Sequence, residues 1–266
     1  MSRIDCVDFG EMLINTLDLD PVYVLLANVR WSDDRMKRWL LAYWCFYHCG
    51  TCCWIVDQPD YWEAMRQADV QKMPRGRERR HFRAENSRKS IAYLSSRGVE
   101  ALYEDLFELY DADTENPIPA DLLLKKVEKW VGFGPWIAFK VVDMLECLGF
   151  LPIHFDVDTI KVYDTPRKGA ETMLEMRGKE AEEVVPWAIN TIIGELGPRL
   201  APPRYERYLN AQEAETILCK WKSHINGHYE VLEDTQDIKR GLELFLGAPS
   251  SVALMLAGRR GGLWNA

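Results

Sequence analysis

Apolar residues recur along this chain at the three- and four-residue spacing of amphipathic α-helices. Residues 34–48 are apolar around most of the helix circumference, which predicts a deeply buried central helix. No run alternates apolar and polar residues as a series of strands would. The pattern predicts helices at 8–18, 34–48, 60–68, 86–96, 99–110, 120–130, 135–148, 179–196, 210–224 and 236–246.

The chain length and the absence of repeats or long linkers in the sequence indicate one domain. A chain of 266 residues can bury a sizeable core, and this one shows no internal repeat and no long flexible linker. We therefore expect a single all-α, two-lobed domain over residues 1–266, ending in a frayed tail at about 258–266. No apolar run nears the roughly 18 residues of a membrane span, and no secretory signal begins the chain. We expect a soluble, cytoplasmic protein without a membrane partner.

Charge is distributed unevenly along the chain. The net charge is -8, yet residues 72–89 carry eight Lys or Arg against two Glu, so this segment is +6 and the remainder is -14. A basic patch on an acidic body can hold phosphate groups while limiting indiscriminate binding to DNA. Seven cysteines without an export signal argue against disulfides, and the CxxC of Cys49 and Cys52 lacks the further ligands of a zinc site. We expect no metal.

Residues 122–163 predict two helices joined by a tight turn. Gly132 and Gly134 allow backbone conformations closed to other residues, and Pro135 suits the first turn of a helix. The turn would then present free N–H groups, which bind a DNA phosphate without reading sequence. A plain turn between packed helices is the alternative. The segment DVDTIKVY follows, where Asp158 is either functional or an N-cap.

The hairpin VGFGPWIA, followed about twenty residues later by DVDT, resembles the helix-hairpin-helix DNA glycosylase superfamily. The resemblance implies that Asp158 is catalytic and lies beside a flipped nucleotide. It implies DNA contacts at Gly132, Phe133, Gly134 and Trp136, and a monovalent cation on the hairpin carbonyls. Trp136 stands where glycosylase-lyases have a lysine, which excludes strand cleavage through that residue. The sequence has no four-cysteine cluster near the C-terminus, so we expect no iron–sulfur centre.

The segment PRGRERRHFR, residues 74–83, has more arginine than a DNA-contacting face requires. Its guanidinium groups, with His81, form a candidate receptor for several phosphate oxygens, although a solvated basic face remains open. Near the end, His224 and His228 share a helical spacing, but Gly227 and the lack of a third ligand argue against zinc.

This arginine segment, the hairpin with DVDT, and ETILCKWKSHINGHY together resemble the bacteriophage alpha-glutamyl/putrescinyl thymine pyrophosphorylases, also called amino acid:DNA transferases. The resemblance implies replacement of the pyrophosphate on 5-(pyrophosphoryloxymethyl)uracil in DNA by an amino acid or polyamine, in the cytoplasm of the infected host. An extruded base must then occupy a pocket. The departing pyrophosphate would be bound by the cationic side chains of both motifs: Arg77, Arg80, His81, Arg83, Lys222 and His224.

Asp158 would take a proton from the amine or stabilise positive charge on the pyrimidine methylene, and the sequence leaves both roles open. Two rival functions remain. One is a monofunctional glycosylase that excises a modified or damaged base, with the arginine segment as an ordinary DNA contact. The other is a catalytically silent DNA-binding protein, for which Asp158 would be dispensable.

Overall fold

The computed structural model describes residues 4–110, 116–160, 164–247 and 250–257, without the side chains of residues 160 and 257. The predicted tail, about 258–266, lies outside the described residues. Helices make up most of the described chain, and it has only two short strands, which confirms the all-α class. Its helices are α1 Cys6–Asn15, α2 Pro21–Asn28, α3 Asp33–Phe46, α4 Cys49–Val56, α5 Tyr61–Val70, α6 Ala84–Arg97, α7 Val99–Phe107, α8 Ala120–Val127, α9 Pro135–Cys147, α10 Val157–Ile160, α11 Asp164–Met176, α12 Val184–Leu196, α13 Ala211–Ile225, α14 Glu233–Glu243 and α15 Ser250–Ala257.

Helix α3 is the buried helix that the apolar run predicted. Ser32 caps its first turn, and Trp39, Trp44 and Phe46 on it are completely buried. The helix packs against α4, α7 and α9. It ends at Tyr47, whose φ of 52° lies in the left-handed region. A non-glycine residue seldom adopts that conformation unless its surroundings hold it there, so the end of α3 is a strained point next to the arginine segment.

Helices α1, α11, α12 and α13 pack against one another as a second group. Gly169 allows the close crossing of α11 and α13, because a Cβ at that position would lie 2.7 Å from the Leu218 carbonyl oxygen. Helix α13 begins with a capping box. The Asn210 side chain accepts hydrogen bonds from backbone N–H groups of the first turn, and the Glu213 side chain accepts one from the Asn210 backbone N–H. The buried apolar residues of both groups form a continuous core. That the chain is one two-lobed domain stays a prediction.

The hairpin consists of α8, the turn over residues 128–134, and α9. Two short parallel strands, β1 Ile118–Pro119 and β2 Ile153–His154, pair directly before α8 and shortly after α9. This pairing closes the base of the hairpin and fixes where the chain leaves toward α10. Within the described residues no helix is both long and apolar enough to cross a membrane. Cys49 and Cys52 are buried free thiols of α4.

Candidate active site

The two hairpin glycines have different conformations. Gly132 has a φ of 83°, and a Cβ there would approach the Ser90 Cβ atom to 3.1 Å, so both the backbone and the contact with α6 require glycine. Gly134 has a φ of -89° and open space around the place of a Cβ. The expectation that Gly134 needs a conformation closed to other residues is therefore wrong, since its backbone is in the ordinary extended region.

Gly134 is nevertheless the N-cap of α9, and no side chain caps this helix. Pro135 occupies its first position, and the N–H groups of the next two residues lie beyond the reach of the helix's own carbonyl groups. Trp136 exposes 36% of its surface there, whereas Phe133 is buried against Trp130 and faces the core. The N-terminus of α9 and the Trp136 ring are thus accessible, while the Phe133 side chain packs inside the turn; DNA contact at the hairpin stays a prediction.

The DVDT segment places two aspartates at the start of α10. Asp156 is the capping residue, because its Oδ1 accepts hydrogen bonds from the Thr159 backbone N–H at 2.8 Å and from the Thr159 hydroxyl at 3.0 Å. Asp158 is exposed on the first turn of α10 and is not that cap. The capping alternative therefore applies to Asp156, and the catalytic role of Asp158 stays a prediction.

Two arginines of the basic segment point into the protein. Arg75 pairs with Asp69 at 2.5 Å, and both side chains are almost completely buried. Arg79 is 8% exposed and donates from Nε to the Cys45 carbonyl and from Nη1 to the Gly132 carbonyl, each at 3.2 Å. Its guanidinium carbon lies 4.5 Å from the Phe82 ring centroid. Arg79 therefore ties the arginine segment to the hairpin turn.

The other arginines of the segment are exposed, with different partners. Arg77 forms ion pairs with Glu233 at 2.9 Å and Asp237 at 3.4 Å, so α14 already balances its charge. Arg80 donates to the Nε2 atom of its exposed neighbour His81 at 3.1 Å. Arg83 is exposed at the N-terminus of α6 and pairs with no carboxylate among the described residues. Arg80 and Arg83 are thus the guanidinium groups available to a solvent-borne anion.

A cleft of about 220 Å³ separates the arginine segment from the hairpin. Glu78, Arg79 and His81 line one side, Lys89 of α6 reaches it from another, and Gly132 forms its hairpin edge, so the lining holds one carboxylate among its cationic groups. The Nη2 atom of Arg79 is buried and has no hydrogen-bond partner in the described structure. Burial lowers the pKa of Arg79 from its usual value, because the guanidinium group is removed from water and has few hydrogen-bond acceptors around it.

Lys222 and His224 lie elsewhere, in the group of α1, α11 and α13. Lys222 donates to the Thr172 hydroxyl at 2.9 Å, and His224 Nδ1 lies 2.9 Å from the Tyr229 carbonyl oxygen. The imidazole of His224 also stacks on Phe9, with ring centroids 4.9 Å apart. None of these contacts involves the arginine segment, so a pyrophosphate site that includes both motifs stays a prediction.

A buried charged cluster was missed by sequence reasoning. Lys140 of α9 lies 3.3 Å from the Asp143 carboxylate and 3.6 Å from that of Asp20, and Asp143 accepts a short hydrogen bond from Tyr23. Burial lowers the pKa of Lys140, but the two carboxylates outweigh burial and raise it well above its usual value. Two charges three residues apart within an apolar helix were the signal that could have revealed this cluster.

Glu215 of α13 belongs to the same cluster. It is 8% exposed, and its only hydrogen bond in the described structure comes from the Thr216 hydroxyl at 3.4 Å. Burial raises the pKa of Glu215 to about 7; Lys140 acts to lower it, and Asp143 and Asp20 act to raise it. A carboxylate with a pKa near neutrality can take up and release a proton under physiological conditions.

Tyr47 connects the cluster, the hairpin and the arginine segment. Its ring lies 5.3 Å from that of Trp136 in a T-shaped contact, and a Cβ on Gly76 would collide with its carbonyl oxygen. Burial raises the pKa of the Tyr47 hydroxyl; Lys140 acts to lower it, and Glu78 acts to raise it. The hydroxyl is therefore within electrostatic reach of α9 and of the arginine segment.

The hairpin does not fit the expected monovalent cation at one of its carbonyl groups. The Gly132 carbonyl oxygen already accepts a hydrogen bond from Arg79, whose positive charge would repel a metal cation at the same atom. Among the described residues no group of three or more His, Cys, Asp or Glu side chains is arranged to hold a metal ion. A cation elsewhere on the hairpin stays a prediction.

The described structure thus combines a helical frame, a cleft beside the hairpin with Arg79, His81 and Lys89 in its lining, and a buried cluster of charged side chains. The chain belongs to the amino acid:DNA transferase family, whose model matches residues 14–229. It is 32% identical over 266 residues to the glycinyltransferase of Pseudomonas phage PaMx11, covering 89% of each chain. It is also 25% identical over 244 residues to the putrescinyltransferase of Delftia phage PhiW-14, covering 83% of this chain and 73% of that one. It is a transferase of DNA hypermodification that attaches an amino acid or polyamine.

Proposed function

We propose that this enzyme displaces pyrophosphate from 5-(pyrophosphoryloxymethyl)uracil in phage DNA with a primary amine, in the cytoplasm of the infected bacterium. The bond from the amine nitrogen to the 5-methylene carbon forms while the bond from that carbon to oxygen breaks. The electron pair leaves with pyrophosphate, and one amine proton passes to a carboxylate. The observation that carries the proposal is the cleft of about 220 Å³ that places cationic side chains directly beside the hairpin.

The cleft is the pyrophosphate site in this proposal. Charge grows on the leaving group as its bond to carbon breaks, and guanidinium groups placed in advance stabilise that charge. Arg79 and Lys89 line the cleft with His81, and Arg80 and Arg83 are exposed in the same segment. Arg77 is balanced by α14, and Lys222 and His224 are held in the group of α1, α11 and α13, so we assign them no direct contact with pyrophosphate.

In this proposal two carboxylates provide proton transfer and charge stabilisation. We assign the proton transfer from the amine to Glu215, because burial raises its pKa to about 7, close to the value that suits a general base at neutral pH, and Lys140 acts on it electrostatically. Asp158, exposed on α10, stabilises the positive charge that builds up on the pyrimidine methylene. The hairpin binds a neighbouring DNA phosphate through the N-terminus of α9, and Trp136 contacts the nucleotide.

The experiment uses DNA that carries the activated base, incubated with the protein and a panel of amines that includes glycine and putrescine. Mass analysis of the digested nucleosides should reveal a thymine derivative linked to one of the amines, with one pyrophosphate released for each product. Heating the treated DNA in alkali should produce no strand breaks. Free base and alkali-sensitive sites would instead indicate a glycosylase, and unchanged DNA would indicate a protein that only binds.

A further inference from the structure

Arg79 is a buried cation without a counter-ion. Its side chain is almost completely buried, and among the described residues no carboxylate forms an ion pair with it. It donates to the carbonyl oxygens of Cys45 and Gly132, and the charge of the neighbouring Arg75, which already pairs with Asp69, acts against it. A charge taken out of water needs an opposite charge to offset the lost hydration. An anion close to Arg79 would therefore stabilise the protein.

Buried hydrogen-bond donors flank the hairpin turn at Gly132. The Nη1 atom of Arg79 donates to the Gly132 carbonyl oxygen at 3.2 Å, but its Nη2 atom is buried and has no partner in the described structure. From α6, the buried Ser90 Oγ atom also lacks a partner there and would lie 3.2 Å from a Cβ on Gly132. A guanidinium group can only donate hydrogen bonds, so the group that would complete these surroundings is an acceptor.

The cleft of the proposed pyrophosphate site opens beside these donors. Arg79 and Gly132 both line it, and its volume of about 220 Å³ is several times the roughly 30 Å³ that one water molecule occupies in the liquid. A polyatomic anion therefore fits. Two cations, Arg79 and Lys89, and one carboxylate, Glu78, are in the described lining. Lys89 already pairs with Glu85 at 2.7 Å, so Arg79 is the cation that an anion in the cleft would complement.

We propose that a pyrophosphoryl group in the cleft fixes the hairpin turn through Arg79. A ligand that binds one conformation better than the others raises the population of that conformation. Here it is the conformation in which Arg79 lies inside the protein and holds the Gly132 carbonyl. The hairpin is then firm on DNA that carries the activated base, and it loosens once pyrophosphate has left, which releases the product DNA. The inference rests on the proposed function for the identity of the anion, and it makes Arg79 a positioning residue for the hairpin.

The first test measures hydrogen exchange and thermal unfolding of the full native chain without DNA, in sodium pyrophosphate or in sodium chloride at equal ionic strength. The Phe133 N–H, which donates to the Trp130 carbonyl oxygen at 3.0 Å, reports on opening of the turn. Pyrophosphate should raise Tm in a saturable manner and slow exchange at this amide by about tenfold, whereas chloride should do neither. The absence of a saturable effect, or a higher Tm with unchanged exchange in the turn, would overturn the proposal.

The second test is Arg79→Gln, with Arg66→Gln as the control, because Arg66 is exposed on α5 and pairs with Glu63. The glutamine side chain can still donate to a carbonyl but carries no charge, so the variant should lose the effect of pyrophosphate on exchange. Without amine, its affinity for DNA with the activated base should fall about tenfold or more, the scale of a hydrogen bond to a charged group, at nearly unchanged affinity for unmodified DNA. The control should keep both properties. If Arg79→Gln does not fold, the exchange measurement on the native chain decides.

The outcomes distinguish the coupling from the proposed function. Equal losses of affinity for both DNAs, or protection of the turn by unmodified DNA that matches pyrophosphate and depends on Arg79, would assign the anion to the DNA backbone and overturn the proposal. Amine transfer by a chain whose turn does not respond to pyrophosphate would leave the proposed function standing without the coupling. A turn that responds to pyrophosphate in a chain that transfers no amine to activated DNA would refute the proposed function alone.

Discussion

Replacing Glu215 by glutamine should stabilise the protein at alkaline pH and strongly lower its turnover. The unfolded chain ionises this carboxyl near its ordinary pKa of 4.5, whereas the folded protein keeps it protonated up to about pH 7. The folded state therefore binds more protons between these values, and the free energy of unfolding falls as the pH rises through that window. Above pH 7 the loss is complete, and below pH 4.5 it is absent.

The size of the effect follows from the same two pKa values. The difference between 4.5 and about 7 corresponds to about 3 kcal/mol, at about 1.4 kcal/mol for each pKa unit. Glutamine has nearly the same shape and no charge, so the variant should approach that gain at pH 8.5 and match the native protein near pH 4.5. Surrounding side chains can relax around the charge, so about 1 kcal/mol is the smallest gain that we expect.

The assay is urea unfolding followed by tryptophan fluorescence at pH 4.5 and 8.5, together with turnover at pH 8.5. Turnover should fall at least about a hundredfold, the usual scale for a positioned general base. Glu104→Gln changes an exposed glutamate of α7 and should leave both measurements unchanged. A variant that is less stable than the native protein at pH 8.5 would refute the reasoning, because Glu215 would then be a required partner of Lys140.

Four further variants test the other parts of the site. Asp158→Asn should lower turnover at least about a hundredfold with little change in folding or in DNA affinity measured by fluorescence anisotropy. The double change Arg80→Ala with Arg83→Ala should reduce kcat far more than affinity for unmodified DNA, because the leaving-group charge develops along the reaction. Gly132→Val should destabilise the protein by about 1 kcal/mol or more and weaken DNA binding. Gly134→Val should weaken DNA binding at nearly unchanged stability, because its backbone is unstrained and only the approaching phosphate is crowded.

The controls match each change in chemistry. Asp121→Asn alters a partly exposed aspartate of α8 that pairs with Lys125, and the pair Arg66→Ala with Arg97→Ala removes two guanidinium groups from exposed positions on α5 and α6. Full activity of Asp158→Asn would remove that residue from the mechanism. If the only defect of the double arginine variant were weaker binding to every DNA, the arginine segment would be a DNA contact and not a pyrophosphate site. Unchanged affinity in Gly134→Val would exclude the hairpin from the interface.

Local sequence patterns predicted much of the helical frame, because periodicity and turn residues act over short distances. The predicted helices at 120–130 and 135–148 correspond to α8 and α9, and the run from residue 34 corresponds to α3. Helices α2, α4, α11 and α15 were missed. Helix α4 is apolar on nearly all sides and so lacks a period, and α11 contains Pro166 and Gly169, residue types that weaken a helical pattern.

The candidate site was less accessible to sequence reasoning, because its pairings join distant parts of the chain. Lys140 and Asp143 stand out within an apolar helix, but nothing local indicates that Asp20 and Glu215 lie against them. The arginine segment appeared uniform in sequence, whereas packing buries Arg75 and Arg79 and leaves Arg77, Arg80 and Arg83 exposed. Periodicity predicts which side of a helix is buried, and only the tertiary fold decides which buried charges meet.

The central claim is that an amine attacks the 5-methylene carbon and expels pyrophosphate while the base stays on its sugar. The most direct measurement uses DNA in which the oxygen between that carbon and phosphorus carries ¹⁸O. After reaction with the amine, mass spectrometry should find the label in the released pyrophosphate and the amine on an intact nucleoside. Label retained in 5-hydroxymethyluracil, or label on a free base, would contradict attack at carbon.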